Sequence, residues 1–294
     1  MMVDGHLHLF RPANVLPRVV DELAPAERDA PVEELVEEQD RLGVDAAVMV
    51  PLGPEDHYLG EVLRRFPRRF AGIAVANGAT EGRKPGGDPV GALRRRRESV
   101  PFHGVRFRWI GEPGQPLEGS PAWPVLRRMA TDGLVLWSYL PEEQLGLLAQ
   151  LVRALPDLPV VLNHLGFCPR VMQVDAARRP RFNQPIPPPT LPRVVKLARW
   201  PQVHLMLSGQ YAFSRTAPPY HDLDVVVRPL LEAFGAARTL WASDWPWIRD
   251  QPGYARLLTL PGRIPGGASP SELEDLLGGT TRRLFPHLVP TAKE

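Results

Sequence analysis

Val3-Asp4-Gly5-His6-Leu7-His8-Leu9-Phe10-Arg11-Pro12 is the first apolar run of the chain, and its closing residues separate two α/β architectures. An open doubly wound sheet usually carries a Gly-rich phosphate loop after its first strand, and His6-Leu7-His8-Leu9-Phe10-Arg11-Pro12 is no such loop. A barrel needs none, and gathers its functional side chains at the C-terminal ends of its strands. Successive strand residues point to opposite faces, so the run predicts Asp4, His6 and His8 on one face and Val3, Gly5, Leu7 and Leu9 on the other. Two imidazoles on one face of a first strand can bind a metal or polarise a carbonyl. A His-x-His pair gains weight only if later strands aim matching groups at the same spot.

Apolar, β-branched runs recur at 2–9, 44–50, 70–77, 104–109, 134–139, 160–164, 203–208 and 239–243. Helical patterns lie between them at 32–42, 56–66, 90–98, 122–131, 141–155, 191–199 and 223–234, with closing helices at 254–260 and 271–277. Eight strands alternating with helices predict a (β/α)8 TIM barrel, read as one domain over 1–294. The segment 179–192 is rich in proline and comes after the sixth strand, on the face where barrels carry their sites. It reads equally as a stiff wall over the site and as a surface excursion.

An apolar fraction of 44% suits a sizeable core, and a formal net charge of +2 gives no argument for nucleic acid. The basic run Arg94-Arg95-Arg96-Arg97 has no interleaved aromatic residues and reads as a solvated helix end. A single cysteine, Cys168, excludes an intramolecular disulfide. No apolar run is long enough to span a bilayer, and no leader pattern opens the chain, so a cytoplasmic protein without a membrane partner is expected. A homo-oligomer stays open.

Later strands do supply matching groups. The sixth run ends Asn163-His164-Leu165-Gly166 and the eighth ends Ser243-Asp244-Trp245-Pro246-Trp247. Each residue alone reads as a satisfied structural group; His or Asp at the ends of strands one, six and eight together is hard to explain as packing. In Val105-Arg106-Phe107-Arg108-Trp109, alternation turns Arg106 and Arg108 into the barrel and the apolar set towards the helices. Buried guanidinium groups need anions, from Asp4 and Asp244 or from a bound carboxylate held in bidentate geometry. An internal ion pair is the structural alternative; the reading favours an anionic small-molecule substrate for at least one Arg.

With His6-x-His8, Asn163-His164-Leu165-Gly166 and Ala242-Ser243-Asp244-Trp245-Pro246 in place, the chain resembles the amidohydrolase superfamily. Its amidohydrolase family 2 branch, with 2-pyrone-4,6-dicarboxylate lactonase and L-fuconolactonase-like enzymes, is the most similar. Gly104-Val105-Arg106-Phe107, Leu207-Ser208-Gly209, Pro218-Pro219-Tyr220 and Gly278-Gly279-Thr280-Thr281-Arg282-Arg283-Leu284-Phe285 carry the similarity along nearly the whole chain. The resemblance implies an amidohydrolase-like barrel and a hydrolase. Two departures bear on the metal. Binuclear members carry a carboxylated Lys on strand four, and this strand has none. Related zinc-dependent decarboxylases carry a metal-binding His on strand five, which here reads Leu134-Val135-Leu136-Trp137-Ser138-Tyr139. The lactonases that this arrangement resembles work without metal and place a Tyr on strand five, as Tyr139 does here. The expectation is a metal-independent site, or a single weakly held divalent ion such as Zn2+ on His6, His8 and Asp244.

The chemistry expected is hydrolysis of a lactone or related cyclic ester of a carboxylated small molecule. Asp244 acts as general base and then acid, and His6, His8 and His164 polarise the carbonyl. Arg106, Arg108 and Arg215 are candidate clamps for a substrate carboxylate, Tyr139 a further contact, and Trp245, Trp247 and Trp109 candidate walls for a flat ring. A metal-dependent non-oxidative decarboxylase is the first alternative, and a non-catalytic ligand-binding barrel the second. Cys168 reads as a buried thiol rather than a nucleophile, and His57, His103, His204, His221 and His287 lie off the strand-end set.

Overall fold

The computed structural model describes residues 1–169 and 171–290, so the last four positions of the expected 1–294 domain lie outside the described residues. Eight strands pair in parallel as one barrel sheet: β1 (Val3–Leu7), β2 (Ala46–Met49), β3 (Phe70–Val75), β4 (Gly104–Phe107), β5 (Val135–Ser138), β6 (Val160–Leu162), β9 (Val203–Leu207) and β10 (Thr239–Trp241). Between β6 and β9, β7 (Gln173–Val174) and β8 (Pro180–Arg181) form a short antiparallel pair. Helices Val32–Leu42, His57–Arg65, Pro89–Ser99, Trp123–Thr131, Leu145–Ala154, Leu191–Leu197 and Asp224–Phe234 return the chain between strands, the βα alternation that a (β/α)8 TIM barrel requires. Each expected strand contains an observed one. The observed strands are shorter because the polar residues at their C-terminal ends leave the ladder to build loops.

Alternation sorts the strand residues into two apolar layers. Ala46, Val48 and Val50, then Ala71, Ile73 and Val75, then Val135, Trp137, Val161, Met206 and Leu240 fill the barrel, together with Phe285 and Leu288 from the C-terminal segment. Ala47, Met49, Phe70, Val105, Phe107, Leu136, Leu162, Leu205 and Trp241 face the helices.

β1 breaks this rule. Its register runs Val3↔Ala46, Asp4↔Ala47 and Leu7↔Met49, so β1 holds one residue more than β2 over the same stretch. The bulge resets the faces: Val3 lies in the inner layer and Leu7 in the outer one, although unbroken alternation would give them the same face. Asp4 therefore does not share the face of His6 and His8, and it offers no charge to Arg106 or Arg108. It lies fully buried on the helix side, where its carboxylate accepts from the Ser243 amide at 2.9 Å, from the Ser243 hydroxyl, from the Tyr254 hydroxyl at 2.7 Å and from the His6 amide at 3.2 Å. Burial pushes its pKa up to about 6 against the pull of these donors. Tyr254 in turn accepts from Gln39 Nε2 at 3.3 Å.

The seam between β10 and β1 closes the barrel through backbone hydrogen bonds, from the Asp244 amide to the His6 carbonyl (3.0 Å) and from the His8 amide to the Trp245 carbonyl (2.7 Å). No helix among the described residues is long and apolar enough to cross a membrane.

Asp4→Asn turns an amide N–H2 towards donors and leaves at least one of them unmatched. The expected loss is about 2–4 kcal/mol of unfolding free energy. Equilibrium urea denaturation reads it directly, and a loss below ~1 kcal/mol would show that the Asp4 carboxylate does not brace the seam.

Candidate active site

A cavity of ≈ 220 Å³ opens at the C-terminal ends of the strands, lined by His8, Arg106, Arg108, Tyr139, His164 and Asp244 among others. His8 lies just past β1, Arg106 and Arg108 come from β4 and its end, Tyr139 is next after β5, His164 after β6 and Asp244 after β10. The Pro-rich excursion supplies Pro180 and Phe182 to the lining, beside Pro169 and Met172, so it forms a wall of the cavity. His164 and Asp244 both have left-handed backbones, with φ of 47° and 63°. Non-glycine residues there cost free energy and persist where the surroundings over-determine them. Two of them, at the ends of β6 and β10 on either side of β9, re-aim both side chains from the barrel wall to the cavity.

Gly209 shows how tightly this is packed. Its φ is +71°, and a Cβ on it would lie 2.9 Å from His164 Nδ1. That nitrogen pairs with the Ser208 hydroxyl at 3.0 Å. Asp244 Oδ2 accepts from the Tyr211 hydroxyl at 2.7 Å, while Oδ1 has no hydrogen-bond partner among the described residues and stands 3.6 Å from both His6 Nε2 and His8 Nε2. Burial pushes the Tyr211 hydroxyl well up, so it stays a donor, and Arg181 fixes its backbone by donating to the Tyr211 carbonyl at 2.5 Å.

The imidazoles are neutral. Burial, then the other imidazoles and Arg106, holds His6 well below the usual histidine range. Burial and then Arg106 bring His8 down to about 4, with Asp244 pulling the other way. Burial lowers His164 as well. Their second nitrogens fix their protons. His8 Nδ1 lies 2.7 Å from the Val50 carbonyl, which can only accept, so Nδ1 carries the proton and Nε2 presents a lone pair. Sequence reasoning expected His8 to polarise a carbonyl; with this hydrogen bond it is an acceptor at the cavity. His6 is the reverse. The Trp137 indole N–H donates to His6 Nδ1 at 2.9 Å, and an indole can only donate, so the imidazole proton sits on Nε2.

His6, His8 and Asp244 cluster as metal ligands would, with candidate donor atoms all within 4.8 Å. The 3.6 Å separations are near the ~3.4 Å edge of a tetrahedron with bonds of about 2.1 Å. The spacing fits an ion and the protonation does not. His8 has its far nitrogen bonded to a carbonyl, as metal-bound histidines do. His6 has its far nitrogen capped by a donor and offers no lone pair at Nε2. Two ligands remain where a tight zinc site uses three protein ligands.

Arg106 is buried, and burial followed by the neighbouring Arg108 brings its pKa down to about 9, which leaves it charged at neutral pH. Its Nη2 donates to the Pro51 carbonyl at 3.2 Å and its Nε finds no acceptor among the described residues. The Arg106 and Arg108 guanidinium carbons lie 5.6 and 5.2 Å from the Tyr139 ring centre, and among the described residues neither forms an ion pair. Burial raises the Tyr139 hydroxyl as well, so it remains a donor.

Other expected residues fall elsewhere. Arg215 is exposed, donates to Gln184 O at 3.2 Å and does not line the cavity, because its backbone is tied to Asp222 at 2.7 Å. Trp245 packs into the core under Arg249, at 4.8 Å, because the reversal at Asp244 turns it away and brings Trp247 to the cavity instead. Trp109 lies under Arg83 at 5.4 Å. Burial pushes the Cys168 thiol up to about 12, which leaves no thiolate at neutral pH. Sequence reasoning missed Trp137 and Tyr211 as partners of His6 and Asp244; nothing in their local pattern marks them, since each acts on a residue of another element.

The amidohydrolase family model matches residues 3–287. L-fucono-1,5-lactonase from Burkholderia ambifaria is 30% identical over 141 residues, 48% of this chain and 42% of that protein, so the chain matches under half the length of that relative. 4-Sulfomuconolactone hydrolase from Hydrogenophaga intermedia is 26% identical over 258 residues, 83% of this chain and 74% of that protein. Among solved structures, a protein assigned as a 2-pyrone-4,6-dicarboxylic acid hydrolase from Pseudomonas putida superposes with a TM-score of 0.73 at 22% identity, covering 98% of both chains. An amidohydrolase from Burkholderia multivorans with bound zinc superposes with a TM-score of 0.72 at 20% identity, covering 97% of this chain and 99% of that one.

Two outcomes are expected from this geometry. Gly209→Ala drives a methyl group against His164, and any activity that uses His164 should fall at least about tenfold in a protein that still folds. His6, His8 and His164 titrate below the unfolded value of 6.5. The stability they contribute is therefore full above about 6.5 and is lost as pH falls through that window, because the unfolded chain binds the protons first. Asp4, raised from 3.8 to about 6, acts in the opposite sense. Three imidazoles outweigh one carboxyl, so denaturation between pH 4.5 and 6.5 should give an unfolding free energy that rises with pH; a fall would contradict the buried neutral cluster.

Proposed function

The chain belongs to the amidohydrolase family, and on that footing we propose that it hydrolyses a small lactone carrying an anionic group, without a metal ion. The observation that carries this reading is one cavity holding two unmatched groups. Asp244 Oδ1 is an acceptor with no donor, and Arg106 is a buried cation with no carboxylate. A substrate carboxylate on Arg106 and Arg108 satisfies the second and places the ring beside the first. That the curated relatives are named as lactone-hydrolysing enzymes supports the reaction class.

In the proposed reaction, a water at the cavity meets two acceptors, Asp244 Oδ1 and His8 Nε2. Asp244 takes its proton as the water oxygen attacks the acyl carbon. The tetrahedral oxyanion is met by His164 and by the Tyr139 hydroxyl, both held before the reaction begins. The ring C–O bond then breaks, the leaving alkoxide takes the proton back from Asp244, and a hydroxy acid is released. Tyr211 holds Asp244 by Oδ2, so Oδ1 is the oxygen that works. His6 lies behind the carboxylate and does not line the cavity.

A panel of carboxylated five- and six-membered lactones, assayed by pH-stat with and without a chelator, tests the reading. Turnover of at least one member, unaffected by chelation, is expected; carbon dioxide release from a carboxylated ring with metal dependence would replace it with a decarboxylase. On the substrate found, Asp244→Asn should lower kcat by at least ~10³-fold, by analogy with loss of a general base. Arg106→Met should act mainly on KM for the anionic substrate, and little on a neutral lactone.

A further inference from the structure

Trp137 occupies the inward position of β5 and is fully buried. The only polar atom of its side chain is spent on His6 Nδ1, at 2.9 Å, with the two ring planes nearly parallel at 15°. We propose that Trp137 is a positioning residue that sets the chemistry of the site: it locks His6 as the Nε2–H tautomer, so that His6 backs the Asp244 carboxylate with a proton instead of offering a lone pair to a metal ion.

His6 Nε2 and Asp244 Oδ1 are 3.6 Å apart, both buried and both without a hydrogen-bond partner among the described residues. With a proton on Nε2, one is a donor and the other an acceptor, and the pair is attractive. With the proton on Nδ1, that proton would face the Trp137 N–H, and three acceptors (His6 Nε2, His8 Nε2 and Asp244 Oδ1) would converge on one spot. Such a set favours a cation at its centre. A single indole therefore decides between proton chemistry and metal binding at His6, two residues along the chain from His8, whose own carbonyl partner leaves the opposite tautomer. His6 is fully buried behind the cavity lining, which suits a group that acts on Asp244 and not on substrate.

The inference deepens the metal-free lactonase reading and rests on it for its functional meaning, but its test does not use lactone. In protein labelled with ¹⁵N at histidine, long-range ¹⁵N–¹H correlation spectra of the full chain should show His6 protonated at Nε2 and bare at Nδ1, and His8 the reverse. Trp137→Phe frees space beside Nδ1 for a water that can accept a proton. Zinc chloride titrated calorimetrically should then bind at least about tenfold more tightly than to the wild type, the scale on which such partners tune metal affinity. A wild-type His6 protonated at Nδ1, or a zinc affinity unchanged in a folded Trp137→Phe protein, would overturn the proposal; if the variant does not fold, the wild-type spectrum decides alone. Lactone turnover with His6 protonated at Nδ1 would sink this inference and leave the lactonase reading standing. The expected tautomer without turnover on any lactone would do the opposite.

Discussion

Barrel closure and site assembly rest on the same hydrogen bonds. The Asp244 amide reaches the His6 carbonyl and the His8 amide reaches the Trp245 carbonyl, so the last strand can join the first only by bringing Asp244 against the two histidines. Asp4 reinforces the join from the other side by accepting from both the amide and the hydroxyl of Ser243. A protein that closes its sheet in this way cannot fold without also forming the cluster. The free energy that holds Asp244 at a positive φ is thus supplied by the sheet and not by a ligand.

Much of this was legible in the sequence, and the reason is periodicity. Eight apolar runs separated by helical patterns specify a barrel because each strand must bury two faces, one against the barrel interior and one against helices. The polar residues that interrupt the ends of runs one, four, six and eight stand out against that demand, and the structure brings His8, Arg106, His164 and Asp244 to one cavity. The face of Asp4 was not legible. Alternation counts residues, and a bulge adds one without any mark in composition; Gly5 and the Val3↔Ala46 to Leu7↔Met49 register show it only once β2 is paired. Arg215 and Trp245 were misplaced for a related reason. Their positions depend on loop reversals, at Ser214-Arg215 tied to Asp222 and at Asp244, which a strand pattern does not encode.

The partners of the cluster were illegible for a deeper reason. Trp137 lies 131 residues from His6 in sequence and Tyr211 lies 33 from Asp244. Each reads locally as an apolar core aromatic, and both are indeed buried. Only the polar atoms of their side chains distinguish them from Phe, and where those atoms point is set by how β5 and the turn of helix at Gln210–Phe213 pack against other strand ends.

The consequence concerns how a His-x-His motif is read. Residue type and spacing place two Nε2 atoms at equal 3.6 Å distances from one carboxylate oxygen, and by that measure they are equivalent. Chemically they are opposites, because one Nδ1 faces a carbonyl and the other an indole N–H. A neutral imidazole has one proton, and whichever nitrogen a buried partner claims leaves the other with the complementary role. In a barrel whose interior is close-packed, that partner is whatever group packing brings against the ring, the Val50 carbonyl for His8 and the inward Trp137 of β5 for His6. The motif therefore fixes where the histidines sit, while the packing around them fixes whether each gives or takes a proton.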